Sequence, residues 1–100
     1  MRVLTDDIVH FVHSRFSTRD ITNVYAIILD AMIDSPRVAR AVLYLSGGSI
    51  TVLRHYAERA MADPQQVLTW AEYILDVGPE PMRVRDMSHP FPHARNLGTA

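Results

Sequence analysis

The chain contains no cysteine among its 100 residues, which excludes disulfides, cysteine-ligated zinc and thiol catalysis. Lysine is missing too, so all 10 basic residues are arginine. Planar, bidentate donors suit interfaces and phosphates, but codon bias in a GC-rich genome explains the pattern without invoking function, and that simpler reading is preferred. Neither sign of charge dominates. The net charge of −1 argues against a protein built mainly to hold nucleic acid by its charge. No apolar run approaches the ~20 residues of a membrane span; the longest, Val24-Tyr25-Ala26-Ile27-Ile28-Leu29, runs into Asp30 and Asp34. The opening Met-Arg-Val-Leu-Thr-Asp-Asp lacks the apolar centre of a secretory signal. These absences predict a soluble cytoplasmic protein with no membrane partner. Internal repeats and low-complexity blocks are also lacking.

What is present is one domain's worth of chain, read as organised around residues 17–33. Ser17 and Asp20 stand as S-x-x-D, a variant capping box in which the Ser hydroxyl accepts from the Asp20 N–H. Phe16 and Ile21 are placed for a hydrophobic staple. Apolar residues then recur at helical spacing through Ile21, Val24, Tyr25, Ile28 and Met32. A helix that is apolar all round belongs in the middle of a core, so this one is predicted to be central.

Four further helices follow from start and stop signals. The first runs over about 6–15, capped by Thr5, with Asp6 and Asp7 suiting the dipole and Ile8, Phe11 and Val12 inward. Ser35-Pro36 opens a helix with Val38, Ala41, Val42 and Leu45 inward, ending at Gly47-Gly48. Ser49 caps the next, whose apolar face is Ile50, Leu53, Ala57, Ala60 and Met61. Asp63-Pro64-Gln65-Gln66 opens the last, which carries Val67, Leu68, Ala71, Ile74 and Leu75 and stops before Gly78-Pro79. The predicted fold is all-α: a compact bundle of about five short helices over 1–78, with a Pro-rich, extended or partly disordered C-terminal tail over 79–100. Pro79, Pro81, Pro90 and Pro92 fall in that tail.

Several constellations could carry function. Asp6, His10 and His13 share a helical face and could ligate a divalent metal, yet that face should be polar in any case. The expected reading is a solvated surface, with no metal and no cofactor. Ser46-Gly47-Gly48-Ser49 leads into a helix N-terminus of the kind that binds anions. It lacks the G-K-[ST] ending of a P-loop, and turn geometry accounts for the same residues. Residues 37–59 have the outline of a helix-turn-helix, with helices at 36–46 and 50–61. On that reading Thr51, Arg54 and His55 approach bases while Arg37 and Arg40 approach phosphates, with the cap Ser49 a further anion or nucleic-acid contact; Glu58 and the net charge oppose it. Asp30 and Asp34 could form an acid/base pair if buried together, but solvent exposure is expected. No nucleophile-and-base arrangement stands out, so catalysis is not expected.

Trp70 and Tyr73 lie off the inward stripe of the last helix, and the tail holds Met82, Val84, Met87 and Phe91. Trp, Tyr, Met and Arg are enriched at interfaces, so these six residues form the predicted interface. The resulting expectation is a small, non-catalytic, cytoplasmic bacterial interaction or regulatory module that forms a homodimer. A helix-turn-helix regulator binding nucleic acid is the first alternative, and a metal-dependent enzyme using the His10/His13 face the second.

Overall fold

A computed structural model describes residues 3–74 and 82–91. Its described residues form five α-helices joined by short turns: α1 Asp6–Arg15, α2 Ile21–Asp30, α3 Pro36–Ser46, α4 Ile50–Ala62 and α5 Pro64–Glu72. A 3-10 turn, Thr18–Asp20, leads into α2. Two-residue strands β1 Tyr73–Ile74 and β2 Met82–Arg83 pair antiparallel, Tyr73 opposite Arg83 and Ile74 opposite Met82. None of the described helices is long and apolar enough to cross a membrane.

Most helix starts follow local chemistry. Ser35, Ser49 and Asp63 each accept a hydrogen bond from the backbone three residues on, at Val38, Val52 and Gln66, which satisfies a donor the helix leaves orphaned. Pro36 and Pro64 occupy the first helical turn, where the missing N–H is harmless. Two caps differ from the sequence reading. Thr5 gives its hydroxyl to Asp7 Oδ1 at 2.6 Å instead of capping α1. Ser17 meets Asp20 side chain to side chain at 3.1 Å, and its carbonyl takes the Asp20 N–H. That pairing closes the 3-10 turn, so α2 starts three residues later than an S-x-x-D box implies.

The core is centred on α3, not on α2. Ala39, Arg40, Ala41, Val42 and Leu43 are all buried, and five consecutive positions at about 100° each cover the whole circumference. Small residues at Ala39 and Ala41 let α1, α4 and α5 pack against it closely. In α2 only Val24 and Ile28 are buried, while Leu29 is 59 % exposed. Its remaining apolar residues lie at the edge of the bundle.

The end of α2 is a Schellman motif. Ile33 N–H bonds the Ile28 carbonyl and Met32 N–H bonds the Leu29 carbonyl, with the apolar pair Ile28 and Ile33 both buried, as the motif favours. Met32 occupies the left-handed position at φ 59°, where glycine is the usual residue. At the end of α3 that position does hold glycine, Gly47 at φ 61°.

Two apolar assignments on the later helices change. Met61 is 56 % exposed at the α2 side of α4. Helix α5 ends at Glu72, and Ile74 joins β1; Leu75 lies outside the described residues. The Glu72 carbonyl accepts from Val84 N–H at 2.8 Å. The returning chain thus takes the place of a further helical turn.

Candidate functional site

Two buried carboxylates tie the returning chain 82–91 to the helices. Asp7, in the first turn of α1, accepts from Arg40 Nε at 2.8 Å and Nη2 at 3.1 Å, from the Thr5 hydroxyl, and from the Phe91 N–H at 3.0 Å. Burial would by itself raise the Asp7 pKa; the hydrogen bonds from Arg40, Thr5 and Phe91, with the Arg40 charge, outweigh it and hold the group well below the usual carboxylate range. Arg40 also donates to the Met87 carbonyl at 3.1 Å. Glu72, at the end of α5, is fully buried. It takes a bidentate pair from Arg37 at 2.6 and 2.9 Å, Arg83 at 3.2 Å and the Met87 N–H at 2.9 Å. The Arg37 bonds lower its pKa against the opposing effect of burial, aided by Met87 and the Arg83 charge. Arg37 and Arg40, one turn apart on α3, thus hold two acids from other helices, and the acids hold the backbone of residues 84–91.

The docked segment builds a cleft. Phe91 stacks on Phe11 with centroids 4.2 Å apart, and Met87 is buried. Between this segment, the end of α1 and the Gly47-Gly48 turn lies a cavity of about 540 Å³, with Tyr44, Arg15 and Arg85 on its wall. The Arg85 guanidinium lies 4.5 Å from the Tyr44 ring centroid and the Arg15 guanidinium 4.9 Å from that of Phe11. Gly48 is required at the turn: at φ 87° it approaches α1 so closely that a Cβ would lie 2.8 Å from the Arg15 carbonyl oxygen.

A second surface lies where α2 packs on α4. Two adjoining hollows of about 290 Å³ each share Ala31 and Met61. Their walls include Ile27, Ala57 and Met32, and the rim carries Asp30, Arg54 and Glu58. Met32 is 81 % exposed.

The residues singled out from sequence are distributed over these features. Of the interface set, Met87 and Phe91 are taken up inside the chain, whereas Val84 and Trp70 are 38 % and 37 % exposed. Trp70 meets Tyr56 edge-on at 5.8 Å. Tyr73 and Met82 lie in the two-stranded ladder. The anion set does not assemble: Arg40 is buried on Asp7 and Arg37 is held by Glu72, while Ser49 caps α4 and Thr51 and Arg54 are exposed. Asp6, His10 and His13 are exposed on α1. Among the described residues no group of three His, Asp or Glu side chains could hold a metal ion. Asp30 and Asp34 are exposed.

Sequence reasoning gave Asp7 to the helix dipole and Arg40 to a phosphate and passed over Glu72, so the buried ion pairs were missed. A signal existed for the acids. Asp7 precedes Phe11 by one turn, and Glu72 follows Leu68 by one turn, so both fall on inward stripes. No such spacing marks Arg40, which sits off the Val38/Ala41/Val42/Leu45 stripe. No family model, curated protein or solved structure matches this chain.

Proposed function

We propose that the chain is a small, non-catalytic interaction module that self-associates through the α2/α4 face. The observation that carries this reading is Met32, 81 % exposed in a left-handed conformation. Local structure favours glycine at this position, and a side chain there adds roughly 1 kcal/mol of strain or more. An apolar side chain placed there against that preference, projecting to solvent beside Met61, suits burial against a partner. The rim selects the partner. Asp30 and Glu58 stand with Arg54 around the hollow, so both signs are present. A two-fold copy can set its Arg54 against these acids, whereas nucleic acid would be repelled by them. The non-catalytic part of the reading is supported by the engagement of both buried acids, Asp7 and Glu72, with arginines and backbone donors.

The test is the absolute molar mass of the full chain by light scattering over a wide concentration range. The wild type is expected to be a dimer that dissociates on dilution. Met32→Gly removes the projecting side chain and relieves the strain, so it is expected to raise the Tm of the dilute, monomeric protein by a few degrees while shifting the mass at high concentration toward monomer. Opposite movement of stability and association separates loss of an interface from loss of the fold. A wild-type monomer at every concentration, or an unchanged mass in Met32→Gly, would overturn the proposal.

A further inference from the structure

We propose that the cleft between α1, the Gly47-Gly48 turn and the docked segment 84–91 binds a flat, apolar anion, namely an aryl carboxylate or aryl phosphate. This goes beyond the self-association reading and shares no lining residue with the α2/α4 face.

Size is the first support. About 540 Å³ falls within the roughly 300–1,000 Å³ of small-molecule sites. Composition is the second. Phe11, Phe91 and Met87 supply apolar wall, and two guanidiniums, Arg15 and Arg85, stand at the same cavity. Such a mixture of apolar surface with few, placed polar groups is what fixes a small ligand's orientation.

Charge is the third. Most other described arginines near the cleft are committed: Arg37 and Arg83 to Glu72, Arg40 to Asp7. Asp86, the carboxylate at the cavity, is itself taken by Arg83 at 3.0 Å, by Ser88 and by His89 at 3.4 Å. Arg15 and Arg85 have no carboxylate partner among the described residues. Arg85 donates one bond to the Ala71 carbonyl, which leaves further donors on its planar group. Both guanidiniums are steadied by an aromatic ring. Stacking of this kind orders a guanidinium while its in-plane N–H groups stay able to form a bidentate bond to carboxylate or phosphate. A ligand with a flat apolar body and one anionic end therefore matches the wall and the donors together.

The test titrates the full chain, labelled for proton–nitrogen correlation spectra, with naphthoate, naphthyl phosphate and the neutral naphthalenemethanol. Saturable shifts at the Gly47, Gly48 and Met87 amides are expected for at least one anion, with the alcohol at least about tenfold weaker, as loss of a charge-assisted hydrogen bond implies. Whichever anion binds more tightly identifies the headgroup. Combined Arg15→Gln and Arg85→Gln should weaken anion binding by about tenfold or more, while Arg19→Gln, at an exposed arginine that lines neither surface, leaves it unchanged. Equal affinity for anion and alcohol, absence of saturable shifts, or undiminished binding in the double variant would each overturn the proposal. The wild-type comparison of anion with alcohol decides the matter even if the double variant fails to fold.

Discussion

At the scale of single residues, the chain carries charged groups in its interior. The Asp7–Arg40 pair has side chains only 8 % and 7 % exposed. Taking charges out of water is costly, and the pair is tolerated because nearly every donor and acceptor is used. Arg40→Ala leaves Asp7 buried without its main partner and the Met87 carbonyl without a donor. It is expected to destabilise the fold by about 3–5 kcal/mol, measured by urea denaturation. Tyr25 presents the opposite case. Its buried hydroxyl finds no hydrogen-bond partner among the described residues, and burial raises its pKa. Tyr25→Phe removes an unsatisfied group at constant ring volume. The expected outcome is a gain of up to about 1 kcal/mol, again read from the denaturation midpoint. A loss of stability would show that the hydroxyl has a partner in solution.

At the scale of elements, the docked segment 82–91 is the part most exposed to acid. It is held through Asp7 and Glu72, both with lowered pKa values. A carboxylate whose folded pKa is depressed contributes stability that is complete above its unfolded value of about 4. That contribution fades as pH falls below this value toward the lowered folded pKa. Protonation also turns two acceptors into weaker ones for the Met87 and Phe91 N–H groups. Hydrogen exchange at these two amides, corrected for the intrinsic pH dependence, is expected to quicken as pH drops below about 4 while α3 amides remain protected. Simultaneous loss of protection in both would indicate that the segment and the bundle open as one unit.

Helix starts were legible because each depends on neighbours. Ser35, Ser49 and Asp63 cap helices through backbone groups three residues away, and α1 starts where its cap residue Thr5 and first-turn acids Asp6 and Asp7 predict, although the Thr5 side chain makes no cap bond. Where a local group had a competing partner, the reading failed. Thr5 turned to Asp7 instead of capping α1. The end of α5 was illegible for the same reason, since its last carbonyl is claimed by Val84, twelve positions later.

At the scale of the whole molecule, two surfaces separate. The α2/α4 face is apolar with a rim of mixed sign, and the tail-built cleft pairs apolar walls with arginine. The proposed self-association and the proposed ligand binding fall on different surfaces, so on these proposals each can be disabled without the other: Met32→Gly at the first, the Arg15 and Arg85 changes at the second. Molar mass should respond only to the former and anion binding only to the latter.

By itself, the sequence determined that the chain forms five short helices, where four of them begin, and that glycine turns the chain after α3. Those features rest on hydrogen bonds and backbone preferences acting within one or two turns. Only the tertiary structure decided which helix is central. Periodicity favoured the apolar α2, yet α3 is enclosed, because its alanines admit close neighbours and its two arginines find acids 33 and 35 residues away. A charge reads as exposed until its partner is known. Such a partner is chosen by the fold, through contacts that no spacing along the chain records.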